Sequence, residues 1–106
     1  MYDEVLQSVR QWLFDISNKY FDSVKIEIVS DNADSFIADL DTNRYVGQLT
    51  VSKSEFKPYR FVEFYVLDIN KPKTSPPAFV YHDKQNDSIS DAIGNLNVGI
   101  YFVLEG

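Results

Sequence analysis

Acid–base chemistry in this chain would have to use its one histidine together with some of its 16 acidic side chains. His82 stands in the run Tyr81-His82-Asp83-Lys84, at the end of a short β-prone segment. A general base needs a neighbouring group that orients it and a pocket that holds the substrate. Asp83 is next in the chain, but adjacent residues of a strand point to opposite faces of the sheet. We therefore expect His82 to be a surface histidine and not a catalytic base.

Two groups of aspartates, Asp31–Asp34 and Asp39–Asp41, have the oxygen ligands that calcium prefers. An EF-hand loop also needs ligands at alternating positions, a central glycine and a closing glutamate, and neither group has them. The chain contains no cysteine and one histidine, which argues against a conventional site built on sulfur or nitrogen. The sequence therefore predicts no metal site.

Motifs that bind phosphates or activate a serine are missing from the sequence as well. It contains no G-x-G-x-x-G, no P-loop and no G-x-S-x-G pattern. The four glycines are scattered, at Gly47, Gly94, Gly99 and Gly106. We therefore expect that the chain is not an enzyme and binds no cofactor.

Length and charge narrow the class of protein further. The chain has 106 residues, the usual size of one domain, so residues 1–106 are expected to form a single domain. Its formal net charge of -6 repels nucleic acid and favours basic protein surfaces, although an acidic composition also serves plain solubility. No signal peptide and no apolar run of about 18 residues is recognisable, so we expect no membrane partner and a cytoplasmic location.

The hydrophobic periodicity predicts an α+β fold. Residues 2–20 carry apolar side chains at the spacing of one helix face, and residues 88–103 repeat this pattern. Between them, period-two alternation and turn residues predict four or five strands. These strands cover residues 24–28, 36–41, 45–52, 59–69 and 78–81. Short connections imply an antiparallel meander, with the N-terminal and C-terminal helices packed on one face of the sheet. The same periodicity predicts the core residues Trp12, Leu13, Ile16, Phe36, Leu40, Leu49, Val51, Phe64, Val66, Ile93 and Leu96.

Loops and helix ends are less clearly marked. Residues 30–35 have the composition of a turn, and the three prolines within 71–77 exclude a helix or a central strand. Gly94 and Gly99 lower helix propensity, so close packing against the sheet is the expected reason for both. A strand at 100–104 is the alternative to a helical C-terminus.

The aromatic content points to a binding surface. The chain has seven Tyr, eight Phe and one Trp, and Tyr suits interfaces because its ring packs while its hydroxyl stays in water. If the helices cover one face of the sheet, strand alternation leaves an aromatic and acidic set on the other. This set contains Phe61, Glu63, Tyr65, Ile37, Asp39 and Asp41. A loop or a second copy of the chain is the alternative cover for this face.

We predict from this arrangement where a protein partner binds. The expected contact residues are Asp39, Asp41, Glu63 and Tyr65, with Asp31 and Asp34 at the rim of the surface. Carboxylates there would attract a basic partner, and the tyrosine would anchor it.

One segment resembles a known family. The run Asp41–Val51, with the sequence DTNRYVGQLTV, follows an N-terminal helix that carries the pair Trp12-Leu13 and precedes a β-meander and a closing helix. In these features the chain resembles the TriTu family of bacterial polymorphic-toxin immunity proteins. The resemblance implies a protein that binds a toxin made by the same cell and blocks its active site or the approach of its substrate. If that toxin is a basic nuclease, the charge of -6 would speed association and mimic phosphate.

Three functions therefore compete at the level of the sequence. The first is an immunity protein that neutralises a cognate toxin domain by direct binding. The second is a small adaptor or a homodimeric binding domain with another partner. The third is an enzyme whose pocket one sequence does not reveal.

Overall fold

The elements of the fold follow the order that the periodicity predicts. The computed structural model describes residues 1–53 and 60–105, and over these residues the chain forms two helices and five strands. The elements are α1 (Tyr2–Lys19), β1 (Lys25–Asp31), β2 (Ser35–Asp41), β3 (Tyr45–Ser52), β4 (Val62–Asp68), β5 (Phe79–His82) and α2 (Ile89–Glu105). Neither helix is long and apolar enough to cross a membrane.

The five strands form one antiparallel sheet in the order β1-β2-β3-β4-β5. Each strand therefore pairs with its neighbour in the chain, as short connections require. Both helices pack on the same face of this sheet. The predicted fold class is thus confirmed.

The core lies between the helices and the sheet. Along β2, the side chains of Phe36, Ala38 and Leu40 are at most 3% exposed, while the alternate residues stay accessible. This alternation arises because successive side chains of a strand point to opposite faces. Of the residues that we predict in the core, Ile93 alone is only half-buried, because it lies beside the groove between the two helices. The other predicted core residues are buried: Trp12, Leu13, Ile16, Phe36, Leu40, Leu49, Val51, Phe64, Val66 and Leu96.

The start and the end of α2 have clear local causes. Ser88 and Asp91 bond each other's backbone N–H groups, at 2.9 and 3.0 Å, which is the reciprocal arrangement of a capping box. The alternative of a strand at 100–104 is wrong, because the helix continues to Glu105. Its last turns bury Ile100 and Val103 at helical spacing.

A hydrogen bond joins the two helices where they contact each other. The indole Nε1 of Trp12 donates a hydrogen bond of 2.7 Å to Oδ1 of Asn97. Trp12 is buried, and a buried indole N–H that found no acceptor would destabilise the fold. This bond links residues that are 85 positions apart in the sequence.

Two predicted boundaries are wrong. The turn expected at 30–35 covers only residues 32–34, because β1 continues through a bulge to Asp31 and β2 begins at Ser35. Asn32 closes this turn by accepting hydrogen bonds from the N–H groups of Asp34 and Ser35. The strand predicted at 59–69 is shorter, Val62–Asp68, and position 59 lies outside the described residues.

The two glycines of α2 differ in their surroundings. A β-carbon on Gly99 would lie 2.6 Å from Cε2 of Phe64 and 2.7 Å from Cε1 of Phe79, which is closer than carbon atoms pack. A β-carbon on Gly94 would meet nothing within 4 Å. The expectation of close helix-to-sheet packing is thus correct for Gly99 and wrong for Gly94.

The same substitution at these two positions should therefore have opposite effects on stability. We expect Gly94→Ala to raise the free energy of unfolding by about 0.5–1 kcal/mol, since alanine favours the helix and has room. We expect Gly99→Ala to lower it by about 1–2 kcal/mol, because the new methyl group pushes α2 away from the two rings. Urea denaturation followed by circular dichroism measures both values. Effects of the same sign would contradict the packing of α2.

Candidate functional site

The face of the sheet opposite the helices, here called the open face, carries most of the predicted contact residues. A row across its middle contains Glu27, Asp39, Gln48, Tyr65 and Val80, which are cross-strand neighbours in the register of the five strands. Within residues 1–53 and 60–105, neither helix covers this face. The structure thus brings Asp39, Asp41, Glu63 and Tyr65 together on one surface, as the alternation of β2 and β4 predicts.

The centre of the open face is a short chain of hydrogen bonds. The hydroxyl of Tyr65 donates to Oε1 of Gln48 at 3.4 Å, and Nε2 of Gln48 donates to Oδ1 of Asp39 at 3.2 Å. All three side chains are half-buried between their neighbours on the sheet. The bonds hold the aromatic ring and the carboxylate in a fixed relation, so a ligand of this surface would meet a largely preformed arrangement.

Carboxylates crowd the end of the open face that β1 and β2 form. Asp39 and Asp41 share one face of β2, and Glu27 lies opposite Asp39 on β1. Burial raises the pKa of Asp41 above its usual value, and the negative charge of Asp39 raises it further. The N–H of Gly47 and the charge of Lys25 act in the opposite direction. Because these carboxylates lie close together, a cationic group that binds between them would relieve their mutual repulsion.

The opposite end of the open face holds the only histidine. Nε2 of His82 lies 2.8 Å from Oε2 of Glu63, its cross-strand neighbour. His82 lies at the end of β5 with its side chain 36% exposed, which agrees with the predicted surface position. In the part of the chain that the structure describes, no group of three acidic or histidine side chains is placed to hold a metal ion.

An apolar groove of about 510 Å³ borders the open face. Val46 and Leu67, which are 37% and 39% exposed, lead into it from β3 and β4. Its far wall is the proline-rich loop, with Pro72 and Pro76, and Ile69 lies between. The sequence did not predict this groove, although the alternation of β3 and β4 already places Val46 and Leu67 on the outer face. What it did not reveal is that the loop 71–77 returns beside them.

Two residues, Asp31 and Phe61, differ from their predicted places, whereas Asp34 agrees with its own. Asp31 lies in β1 and not in a loop, and its carboxylate pairs with Arg10 on the helix side of the sheet. Asp34 does lie exposed in the turn at the rim. Phe61 precedes β4 and leaves the open face, because its ring packs edge-on against Tyr2 of α1 with centroids 5.5 Å apart.

A buried carboxylate that the sequence did not predict lies beside this site. Asp83 is only 6% exposed, and its Oδ1 accepts hydrogen bonds of 2.8 and 2.9 Å from the N–H groups of Phe61 and Val62. It extends the pairing of β4 and β5 beyond the end of β5. Asp83 therefore fixes the chain that enters β4 and, through β4, the positions of Glu63 and Tyr65.

The geometry describes a preformed acidic surface with one central aromatic ring and an adjoining apolar groove. Comparison of the chain with protein-family models, with curated proteins and with solved structures finds no match.

Proposed function

We propose that this protein is a non-catalytic binding domain that uses its open face to hold a basic surface of another protein. More specifically, we propose an immunity protein that acts in the cytoplasm and neutralises a cognate toxin domain by direct, stoichiometric binding. The observation that carries the binding proposal is the open face itself. It combines clustered carboxylates, a tyrosine held by hydrogen bonds and an apolar groove on one side of the sheet.

The physical chemistry of this face favours a partner with lysine or arginine side chains next to an apolar one. Asp39 and Asp41 would receive the cations, and burial together with the negative charge of Asp39 raises the pKa of Asp41. The net charge of -6 would add long-range attraction and so speed the encounter. Tyr65 would supply the desolvated aromatic contact that slows dissociation.

The immunity function adds a specific expectation about the partner. A toxin domain whose active site binds phosphate carries a basic surface, and a carboxylate cluster seated there would exclude the substrate. The support for this step is the charge of the open face together with the resemblance of Asp41–Val51 to immunity proteins. An adaptor with a different basic partner would use the same face, so the identity of the partner distinguishes the two functions.

The binding proposal can be tested with two variants of the open face. The ligand is the toxin domain encoded beside the gene, and surface plasmon resonance measures both rate constants at low and high salt. We expect Tyr65→Ala to raise the dissociation constant by roughly 30-fold, mainly through faster dissociation. We expect Asp39→Lys combined with Asp41→Lys to slow association by about tenfold at low salt and much less at high salt.

Two controls match these changes on the other side of the molecule. Tyr101→Ala removes a half-exposed tyrosine from α2, and Asp15→Lys with Glu105→Lys makes the same change in net charge on the helices. Neither control should alter the rates as strongly. If the folded open-face variants bind the toxin domain like the unchanged protein, the open face is not the binding site. If no toxin domain binds, the immunity function fails and the search moves to other basic partners.

A further inference from the structure

The outer edge of β1 is open to another strand. β1 is the first strand of the sheet and pairs only with β2 among the described residues. Its segment Lys25–Ile28 is regular, and the bulge follows at Val29. Ile28 and Val29 are 49% and 54% exposed, although both are large and apolar. An edge of this kind offers unpaired N–H and C=O groups to a second strand.

Two copies of β1 in antiparallel orientation would place opposite charges next to each other. Lys25 and Glu27 lie on the open face, on either side of Ile26. In an antiparallel pair centred on Ile26, Lys25 of one copy stands opposite Glu27 of the other, and this happens twice by symmetry. Within one chain Glu27 faces the like charge of Asp39, which is unfavourable. Lys25 of a second copy would place a cation next to Glu27, on the side of β1 that faces away from Asp39.

We propose that two copies of the chain associate through β1, antiparallel and centred on Ile26, so that their sheets join into one. The joined sheet has twice the five strands of one copy. The twofold axis is perpendicular to the sheet, so both open faces lie on the same side of the dimer. This inference is independent of the partner that the open face binds.

The helix side of the same edge supports this pairing. Arg10 of α1 reaches Asp31 at the end of β1, so this flank of α1 faces the edge. Phe14 lies one helical turn later on that flank and is 62% exposed. Ile28 points to the same side, because it pairs with the buried Ala38. The twofold axis turns this apolar flank toward its symmetry mate, which gives Phe14 and Ile28 a place to be buried.

The other edge of the sheet lacks these properties. β5 has four residues, Phe79–His82, and contains no pair of opposite charges. Its histidine already contacts Glu63 within the same chain. A second copy would therefore gain fewer strand pairs and no charge complementarity at β5, which makes Val80 of that strand a suitable control position.

Analytical ultracentrifugation tests the proposal through charge reversal. We expect a species of twice 12.2 kDa that forms with rising concentration. Glu27→Lys should weaken the association about tenfold at low salt, because both symmetry-related pairs change from attraction to repulsion. Lys25→Glu combined with Glu27→Lys should restore it, since opposite charges again face each other. Val80→Lys on β5 should leave it unchanged.

A cross-link tests the register independently, because the chain has no cysteine of its own. Under mild oxidation, Ile26→Cys should form a disulfide-linked dimer, since position 26 faces itself across the axis. Ile28→Cys should not, because its two copies would lie about 13 Å apart along the strands.

Three results would overturn the proposal. The first is a chain that stays monomeric up to about 1 mM, the range of weak association. The second is a dimer that Glu27→Lys does not weaken, and the third is one that the double reversal does not restore.

Discussion

Replacing Phe64 by alanine should lower the free energy of unfolding by about 3–5 kcal/mol, which is the largest effect we expect from a single substitution in this chain. Phe64 lies at the middle of β4, is fully buried and packs edge-on against Phe79 with ring centroids 5.8 Å apart. Its other edge contacts the helix at Gly99, where a side chain would leave no room for it. Alanine would leave a cavity that neither β4 nor α2 closes easily, because both are held by their neighbours.

The matched control is Phe21→Ala, which removes the same side chain from a position that is 75% exposed. We expect that change to stay within about 0.5 kcal/mol. Thermal denaturation should then separate the two variants by roughly 15 °C or more. Equal losses for the two variants would show that Phe64 does not occupy the centre of the core.

Replacing Asp83 by alanine should cost about 2–4 kcal/mol, although aspartate is an unusual residue for a buried position. Its carboxylate accepts hydrogen bonds from the N–H groups of both Phe61 and Val62, and alanine would remove this shared acceptor. The N–H group of Val62 is buried with its residue, so water replaces the lost acceptor poorly. Hydrogen exchange should show the loss directly, as faster exchange at these two amides.

Two controls separate the hydrogen bonds from the charge. Asp83→Asn keeps an oxygen acceptor at the same place and should recover at least half of the stability that alanine loses. Asp22→Ala removes an exposed carboxylate and should change little. If Asp83→Ala were as stable as the unchanged protein, the carboxylate would not hold the start of β4.

The element order and the core could be predicted because their signals are local. The alternation of Phe36, Ala38 and Leu40 in β2 requires only that one face of the strand is buried. The helical spacing of Leu96, Ile100 and Val103 in α2 works in the same way. The bulge at Val29 was not predictable, because it depends on how β1 pairs with β2 and not on the composition of β1 alone.

The composition of the candidate site was predictable only where strand alternation determines it. Asp39, Asp41, Glu63 and Tyr65 lie on the open face because they alternate with buried residues. Asp31 was misplaced because its partner Arg10 is 21 positions away, and no periodicity reports such a contact. The apolar groove was missed for a similar reason, since it forms where a loop returns beside two strands.

The hydrogen bond between Trp12 and Asn97 provides a built-in reporter of cooperativity. Trp12 is the only tryptophan of the chain, so intrinsic fluorescence observes the place where α1 and α2 meet. Circular dichroism observes the helices and the sheet as a whole. In a two-state transition both signals change at the same denaturant concentration. A fluorescence change at lower denaturant would instead mean that the helices separate while the five-stranded meander is still intact.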